Sequence, residues 1–380
     1  MYYIPIAILT IFLYIEKKIG DKKQILFNIA FAILAFALCF RYGQGSDYFG
    51  YMGNYNTTDN HSEIGFLLVS YFFKKMGAPF ELFAASISLF EMLCVYRAIR
   101  LYSPMGIFSL LLFYPTLYLT YCFSGLRQGI VIMFFLGFMI KWLQDDRVIK
   151  YLVACVILST IHTAALILLP LVIIKKIKLN WLYFMLGGSF LCGVGVYFIP
   201  ADLFSFIKIG AVQYYINNIS ISPFGLLERI VMFGLITYLI RNTTGNDKNN
   251  QIHFLYKIYV CGFIISIALF PWSLLSSRLG AMMKATEILI LPMAYSNTEK
   301  EHLKKLLLLF VLMYVTLMTT KNLASYIQQG RYVGYNVITY PYLSVFNKER
   351  AHEIRKEDWQ NYLRIYNWYR KIHKHAAIYR

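Results

Sequence analysis

Long apolar runs separated by short charged turns recur along almost the whole chain. They occupy residues 2–15, 25–40, 82–99, 105–122, 129–143, 151–174, 181–199, 224–240, 253–270, 279–295 and 304–320. Most approach the ~20 apolar residues that an α-helix needs to cross a bilayer. The runs are continuous, not alternating, which excludes a transmembrane barrel of short strands. The pattern predicts an all-α, polytopic membrane protein of about eleven spans, within nine to thirteen. Two stretches depart from it. Residues 64–76 are interrupted by Lys74 and Lys75 and are too short for a span, so they read as an interfacial or re-entrant helix. The run 151–174 holds His162 near its middle and Pro170 near its end. It reads as one span or as a short up-and-down pair broken at His162. The broken form is preferred because it leaves Lys175, Lys176 and Lys178 on the same side as the other basic turns.

Basic turns set the orientation. Lys17, Lys18, Lys22 and Lys23 place the first turn in the cytoplasm. Residues 41–62, 124–128, 200–223, 271–278 and 321–341 then fall outside. The first run lacks a basic leader and a small-residue cleavage site and reads as a retained helix. Residues 1–345 form one membrane domain. Residues 346–380 form a basic, aromatic tail (Trp359, Tyr362, Tyr366, Trp368, Tyr369) expected to lie on a lipid surface.

Composition sharpens this picture. The chain is 58% hydrophobic and 15% charged, against about 25% charged for soluble domains, so no separate soluble domain is expected. Its 37 Lys and Arg against 19 Asp and Glu give a net charge of +18. On a soluble protein this excess would suggest nucleic acid. Here the basic residues sit in short turns, which excludes nucleic acid as a partner and favours anionic lipids or pyrophosphates. The six cysteines form no CxxC pair and read as small hydrophobes.

The candidate chemistry gathers on one side. The segment from Arg41 to Asn56 hangs a guanidinium (Arg41), a carboxylate (Asp47) and three phenols (Tyr42, Tyr48, Tyr51) on the end of an apolar helix. Such a cluster is costly to desolvate and points to a polar, sugar-bearing ligand. Arg127 in SGLRQ, Arg278 in SSRLG and His162 fall on the same face. Arginine stays charged when partly desolvated and its planar fork suits phosphate oxygens. The expectation is that Arg41, Arg127 and Arg278 line one outward-facing cavity. Glu287 lies inside an apolar run, where a carboxylate is expensive. It reads as the partner of a guanidinium or as a proton acceptor. Glu81, Glu91 and Glu228 read as structural. Asp47 and His162 are the candidate general bases. No paired carboxylates occupy the first external loop, so no metal and no cofactor are expected. No Walker A loop, HExxH or GxSxG is present.

RYGQGSDYFGY resembles the R-x-x-x-G-x-D-Y-x-x-Y signature of EpsG-like, Wzy-type polysaccharide polymerases. The family's E-x-G-F segment corresponds to Glu63-Ile64-Gly65-Phe66, and its R-Q pair to Arg127-Gln128. Its histidine followed by small residues corresponds to His162, its late external arginine to Arg278, and its closing P-Y to Pro341-Tyr342. The resemblance runs in order from residue 41 to about 345 and does not cover the basic tail. It implies a bacterial cytoplasmic (inner) membrane enzyme that polymerises undecaprenyl-pyrophosphate-linked repeat units at the outer face. Arg127 and Arg278 would neutralise the departing pyrophosphate, and Asp47 or His162 would take the acceptor's proton. Arg41, Tyr48, Tyr51, Glu63, Gln128, Glu287 and Tyr342 would contact substrate. Membrane lipids, a flippase and a chain-length regulator are the implied partners. The rival readings are another lipid-linked glycosyltransferase or ligase, and a flippase or transporter. A flippase should carry charge at several depths and paired repeats, and the sequence shows no repeat.

Overall fold

Lys17 and Lys304 both stack on the Tyr295 ring, 5.8 and 6.0 Å from its centroid, and so tie three helix ends together at one face of the protein. The computed structural model describes residues 1–19, 24–56, 63–198, 220–242, 248–330 and 335–354. It is 82% helix, with no strand among the described residues. In chain order the helices are α1 (Ile4–Ile19), α2 (Ile25–Cys39), α3 (Tyr48–Asn56), α4 (Ile64–Lys75), α5 (Phe80–Tyr102), α6 (Gly106–Cys122), α7 (Leu126–Gln144) and α8 (Val148–Ile161). A 3₁₀ segment (Thr163–Ile173) follows. Then come α9 (Leu179–Phe198), α10 (Pro223–Arg241), α11 (Lys248–Ala268), α12 (Ser273–Lys284), α13 (Glu287–Asn297) and α14 (Glu301–Gly330).

Among the described residues, six helices are long and apolar enough to cross a membrane: α5, α7, α9, α10, and most of α11 and α14. The chain is a multi-pass membrane protein. The expected eleven spans are not reached by these criteria, because the other apolar runs form shorter or broken helices. Helices α2 and α8 have 15 and 14 residues. The run 279–295, expected as one helix, divides between α12 and α13 at Ala285–Thr286. In the other direction, α14 continues through Lys321 to Gly330, where a loop was expected from residue 321.

The break expected at His162 is present. The residue is extended (φ −152°, ψ 112°), and the 3₁₀ segment packs back along α8, with the Tyr151 hydroxyl donating to the Leu168 carbonyl at 2.6 Å. Lys175 then returns to Asp146 at 2.5 Å. A 3₁₀ helix rises about 2.0 Å per residue against 1.5 Å for an α-helix. The 11-residue return leg therefore matches the 14-residue outward leg.

Helix α6 is the axis. Gly106–Phe113 is buried on every side, and α1, α2, α13 and α14 pack around it. Beyond Pro115 it widens into a π-helix, Tyr114–Cys122. The Pro115 carbonyl accepts from the Asn322 amide of α14 at 2.6 Å, which ties the two helices together there. Helices α9 and α10 lie outermost, with only 17% and 28% of their apolar windows inside the protein.

Residues 40–45 are clasped by the chain's later part. Tyr42 N–H donates to the Leu343 carbonyl at 3.0 Å and Val345 N–H to Phe40 at 2.9 Å. Gly45 (φ +95°) lies against the Phe123 carbonyl and Ser124 hydroxyl, so close that a Cβ there would collide with both. The turns at 41–47, 123–125 and 340–347 thus share one end of the bundle. Of the tail, Ala351 and Ile354 are buried, while 355–380, including its aromatic residues, lie outside the described residues.

Candidate functional site

Among the described residues, two polar assemblies lie toward the end of the bundle that carries the 41–47 and 123–125 turns. The first joins four elements. Glu63 immediately precedes α4. One carboxylate oxygen accepts from the Arg127 guanidinium at the start of α7; the other faces His162 Nδ1 at 3.3 Å and Thr163 N–H at 3.4 Å. Arg127 also lies over the Tyr51 ring of α3, 5.8 Å from its centroid. Phe66 packs against the same ring, with centroids 5.8 Å apart. Gly65 explains the local sequence, because a Cβ there would overlap Thr160 of α8. Without one, α4 approaches α8 closely enough for Glu63 to reach the histidine that ends it.

Glu63 sits outside the spanning helices. Burial works to raise its pKa, but the hydrogen bond with His162 and the Arg127 charge outweigh this and hold the carboxyl down to about 2, from an ordinary 4.5. It is therefore a permanent carboxylate. Such a partner favours the tautomer with the proton on Nδ1. The other nitrogen, Nε2, is buried with no hydrogen-bond partner among the described residues.

The second assembly is a cavity of about 420 Å³ enclosed by α6, α10, α12, α13 and α14. Its wall carries Arg229, Lys284 and Lys321 against Glu228 and Glu287, so cations outnumber carboxylates by one. Glu228 accepts from Lys284 at 2.6 Å and from the Tyr314 hydroxyl at 2.8 Å. Lys284 also lies 3.9 Å from Glu287. Arg229 donates to Ser276 at 2.5 Å, and Ser276 donates on to the Ser266 carbonyl at 2.9 Å. The Tyr121 hydroxyl bonds Ser277 and lies within electrostatic reach of Lys284, Arg229 and Arg278 together. Arg229 and Lys284 on that wall, with Lys321 beside them, supply the several cations that bind multiply charged oxyanions.

The two assemblies meet through adjacent residues of α7. Arg127 belongs to the first, and Gln128 donates to the Arg278 carbonyl at 2.6 Å beside the second. Arg278 itself is exposed at the start of this region.

The remaining sequence candidates lie elsewhere. Arg41 is 2% exposed. Its Nη1 donates to the Leu38 carbonyl at 2.7 Å and to Ser88 at 2.6 Å, and its plane lies over Phe123 at 5.4 Å. Fully buried Glu91 lies within its electrostatic reach. Arg41, Arg127 and Arg278 are not among the residues lining the cavity, so the three do not share it as expected. Tyr48 is buried against Arg41, 5.9 Å from the guanidinium. Asp47 is exposed, starts the first turn of α3, and acts on Tyr51 electrostatically. Tyr342 packs beside Tyr2, and its hydroxyl donates to the Ala37 carbonyl at 2.5 Å. Glu287 faces the Lys284 ammonium where a guanidinium was one expectation.

Sequence reasoning missed Tyr121, Arg229, Lys284 and Lys321, and it set Glu228 aside as structural. Lys284 sits between apolar residues and carried a usable signal, since a lysine at that depth needs a reason. Among the described residues no group of three or more His, Cys, Asp or Glu gathers in metal-binding proximity.

No curated protein and no solved structure matches this chain. The EpsG family matches it over residues 24–337, a span that contains both assemblies entire. With most of its length covered, the chain belongs to the EpsG family of Wzy-type polysaccharide polymerases.

Proposed function

We propose that this protein polymerises undecaprenyl-pyrophosphate-linked oligosaccharide repeat units by glycosyl transfer at the outer face of the bacterial cytoplasmic membrane. The observation that carries the reading is the set of cations, Arg229, Lys284 and Lys321 against Glu228 and Glu287, on the wall of a cavity in an apolar fold, with the Arg278 carbonyl bonded to Gln128 beside it. A diphosphate is the leaving group whose developing charge calls for such a wall. The opposite end of the bundle bears Lys17, Lys175 and Lys304, and basic residues at a bundle end favour the cytoplasmic side. The cavity then opens outward. With α1, α2, α6, α8, the 3₁₀ return leg and the α12–α13 pair counted as crossings beside the six long helices, the chain passes the membrane about twelve times, within the expected nine to thirteen.

In this reading a hydroxyl of the incoming lipid-linked unit attacks the anomeric carbon of the glycan held on its carrier. The new C–O bond forms as the bond to the diphosphate oxygen breaks, and the electron pair leaves with the diphosphate. Lys284, Arg229 and Arg278 compensate that charge. His162 takes the hydroxyl proton on Nε2, while Glu63 steadies the opposite ring nitrogen. Arg127 fixes Glu63 and is itself held over the Tyr51 ring.

The test is a reconstituted assay with defined lipid-linked repeat units. Wild-type protein should produce a ladder of longer glycans, with or without chelator. Arg278→Ala should leave single units at an unchanged protein level. Wild-type-length ladders from that variant would defeat the assignment.

A further inference from the structure

The polar cavity does not end at its charged wall. Glu228 and Tyr314 line it and also line a second, apolar space of about 700 Å³ between α10 and α14. That groove is built from Leu227, Val231, Leu309, Met313 and Leu317. These side chains are between 42% and 64% exposed, on two helices that already lie largely outside the core. Along the groove, then, α10 and α14 present apolar surface to each other and to lipid without closing on it. At its head the same two helices contribute Glu228 and Arg229, and Lys321.

A continuous path from a cationic pocket into an apolar, lipid-open groove matches one kind of molecule. It must carry several negative charges at one end and a long hydrocarbon chain at the other. A free phosphate would have no use for the groove, and a free hydrocarbon none for the lysines. We infer that the groove between α10 and α14 holds the polyprenyl tail of the donor, whose diphosphate occupies the adjoining cavity. This rests on the polymerase reading and extends it by assigning the tail a track. Tyr314 and Glu228 stand at the junction, where one Glu228 oxygen accepts from both the Tyr314 hydroxyl and Lys284 and so holds the ammonium at the head of the groove. The leaving group is the natural occupant, because the cations that define the head of the groove are those the departing charge requires. Helical apolar surface also suits a tail that must slide out after each transfer, since it offers area without directional bonds.

The test uses full-length protein in proteoliposomes and matched donors carrying undecaprenyl or farnesyl tails on the same glycan pyrophosphate. Leu227→Trp and Met313→Trp fill the groove from opposite walls at positions that face lipid, where a larger apolar side chain does not disturb the core. The ratio of kcat/KM for the long-tailed over the short-tailed donor should fall about tenfold or more in each, the equivalent of losing one to two buried methylene contacts. An unchanged ratio in both variants overturns the inference while leaving the polymerase reading intact. Absence of elongation from either donor in wild-type protein defeats that reading instead. A second measurement does not depend on turnover. Undecaprenyl pyrophosphate bearing a diazirine on its isoprene chain should label α10 and α14, and unlabelled undecaprenyl pyrophosphate should compete where phosphatidylglycerol does not. Labelling confined to the apolar groove walled by Phe134, Val153 and Ile157, or equal competition by phosphatidylglycerol, counts against it.

Discussion

Glu63 and His162 stand 99 positions apart in sequence, yet a carboxylate oxygen of one lies 3.3 Å from Nδ1 of the other. Neither residue makes that contact alone. Gly65 brings α4 against α8, the chain breaks at His162 instead of continuing as helix, and Arg127 holds the second oxygen of Glu63.

Glu63→Gln keeps the shape of this contact and removes the charge. If the carboxylate positions the imidazole, elongation should drop by about two orders of magnitude, within the range seen when orienting carboxylates are neutralised. KM should change little. A merely structural carboxylate would instead lower folded protein and leave the rate per folded molecule intact.

The depressed pKa of Glu63 has a signed consequence. A folded carboxyl held at about 2 against an ordinary 4.5 contributes stability that is complete above 4.5 and drains as pH falls toward 2. Thermal melts of detergent-solubilised wild type and Glu63→Gln should therefore differ most at neutral pH and converge in acid. A gap that persists at the acid end would show that ionisation is not what the site uses.

Gly65→Leu places a side chain where a Cβ alone already overlaps Thr160. Overpacking of this kind costs about 1–3 kcal/mol, and it should also separate Glu63 from His162. The comparison is Gly50→Ala in α3, where a Cβ meets nothing within 4 Å. That change should leave stability equal or raise it by up to about 1 kcal/mol. Melting temperatures and elongation rates of the two variants check both halves.

Lys284→Ala removes the ammonium that compensates Glu228. Breaking a buried pair from one side costs about 3–5 kcal/mol, because the remaining charge stays buried. Adding Glu228→Gln should recover most of the stability and none of the elongation, since the cation for the diphosphate is still missing. Recovery of both would assign Lys284 a purely structural role.

Arg41 and Arg278 should separate in the same experiment. Arg41 is buried, bonded to Leu38 and Ser88, and near Glu91. Arg41→Ala should lower the melting temperature sharply. Exposed Arg278→Ala should leave it in place and abolish long products.

Periodicity settled that this chain is helical and membrane-embedded, because apolar runs of bilayer length admit no other soluble or barrel arrangement. It also placed the break at His162, since a histidine and a later proline interrupt an otherwise uniform run and the basic turn after it must return to the others. The short motifs marked Glu63, Arg127, His162 and Arg278 individually. Tertiary structure alone decided that three of these form one contact, that Arg41 is an internal prop, and that Lys284 and Lys321 face a cavity. The reason is depth and direction. A sequence gives the distance along a helix, but whether a lysine in an apolar run meets lipid or a polar wall depends on which neighbouring helix lies opposite. That is set by how α6, α10, α12 and α14 close around the cavity, with α6 and α14 meeting across 207 positions at Pro115 and Asn322.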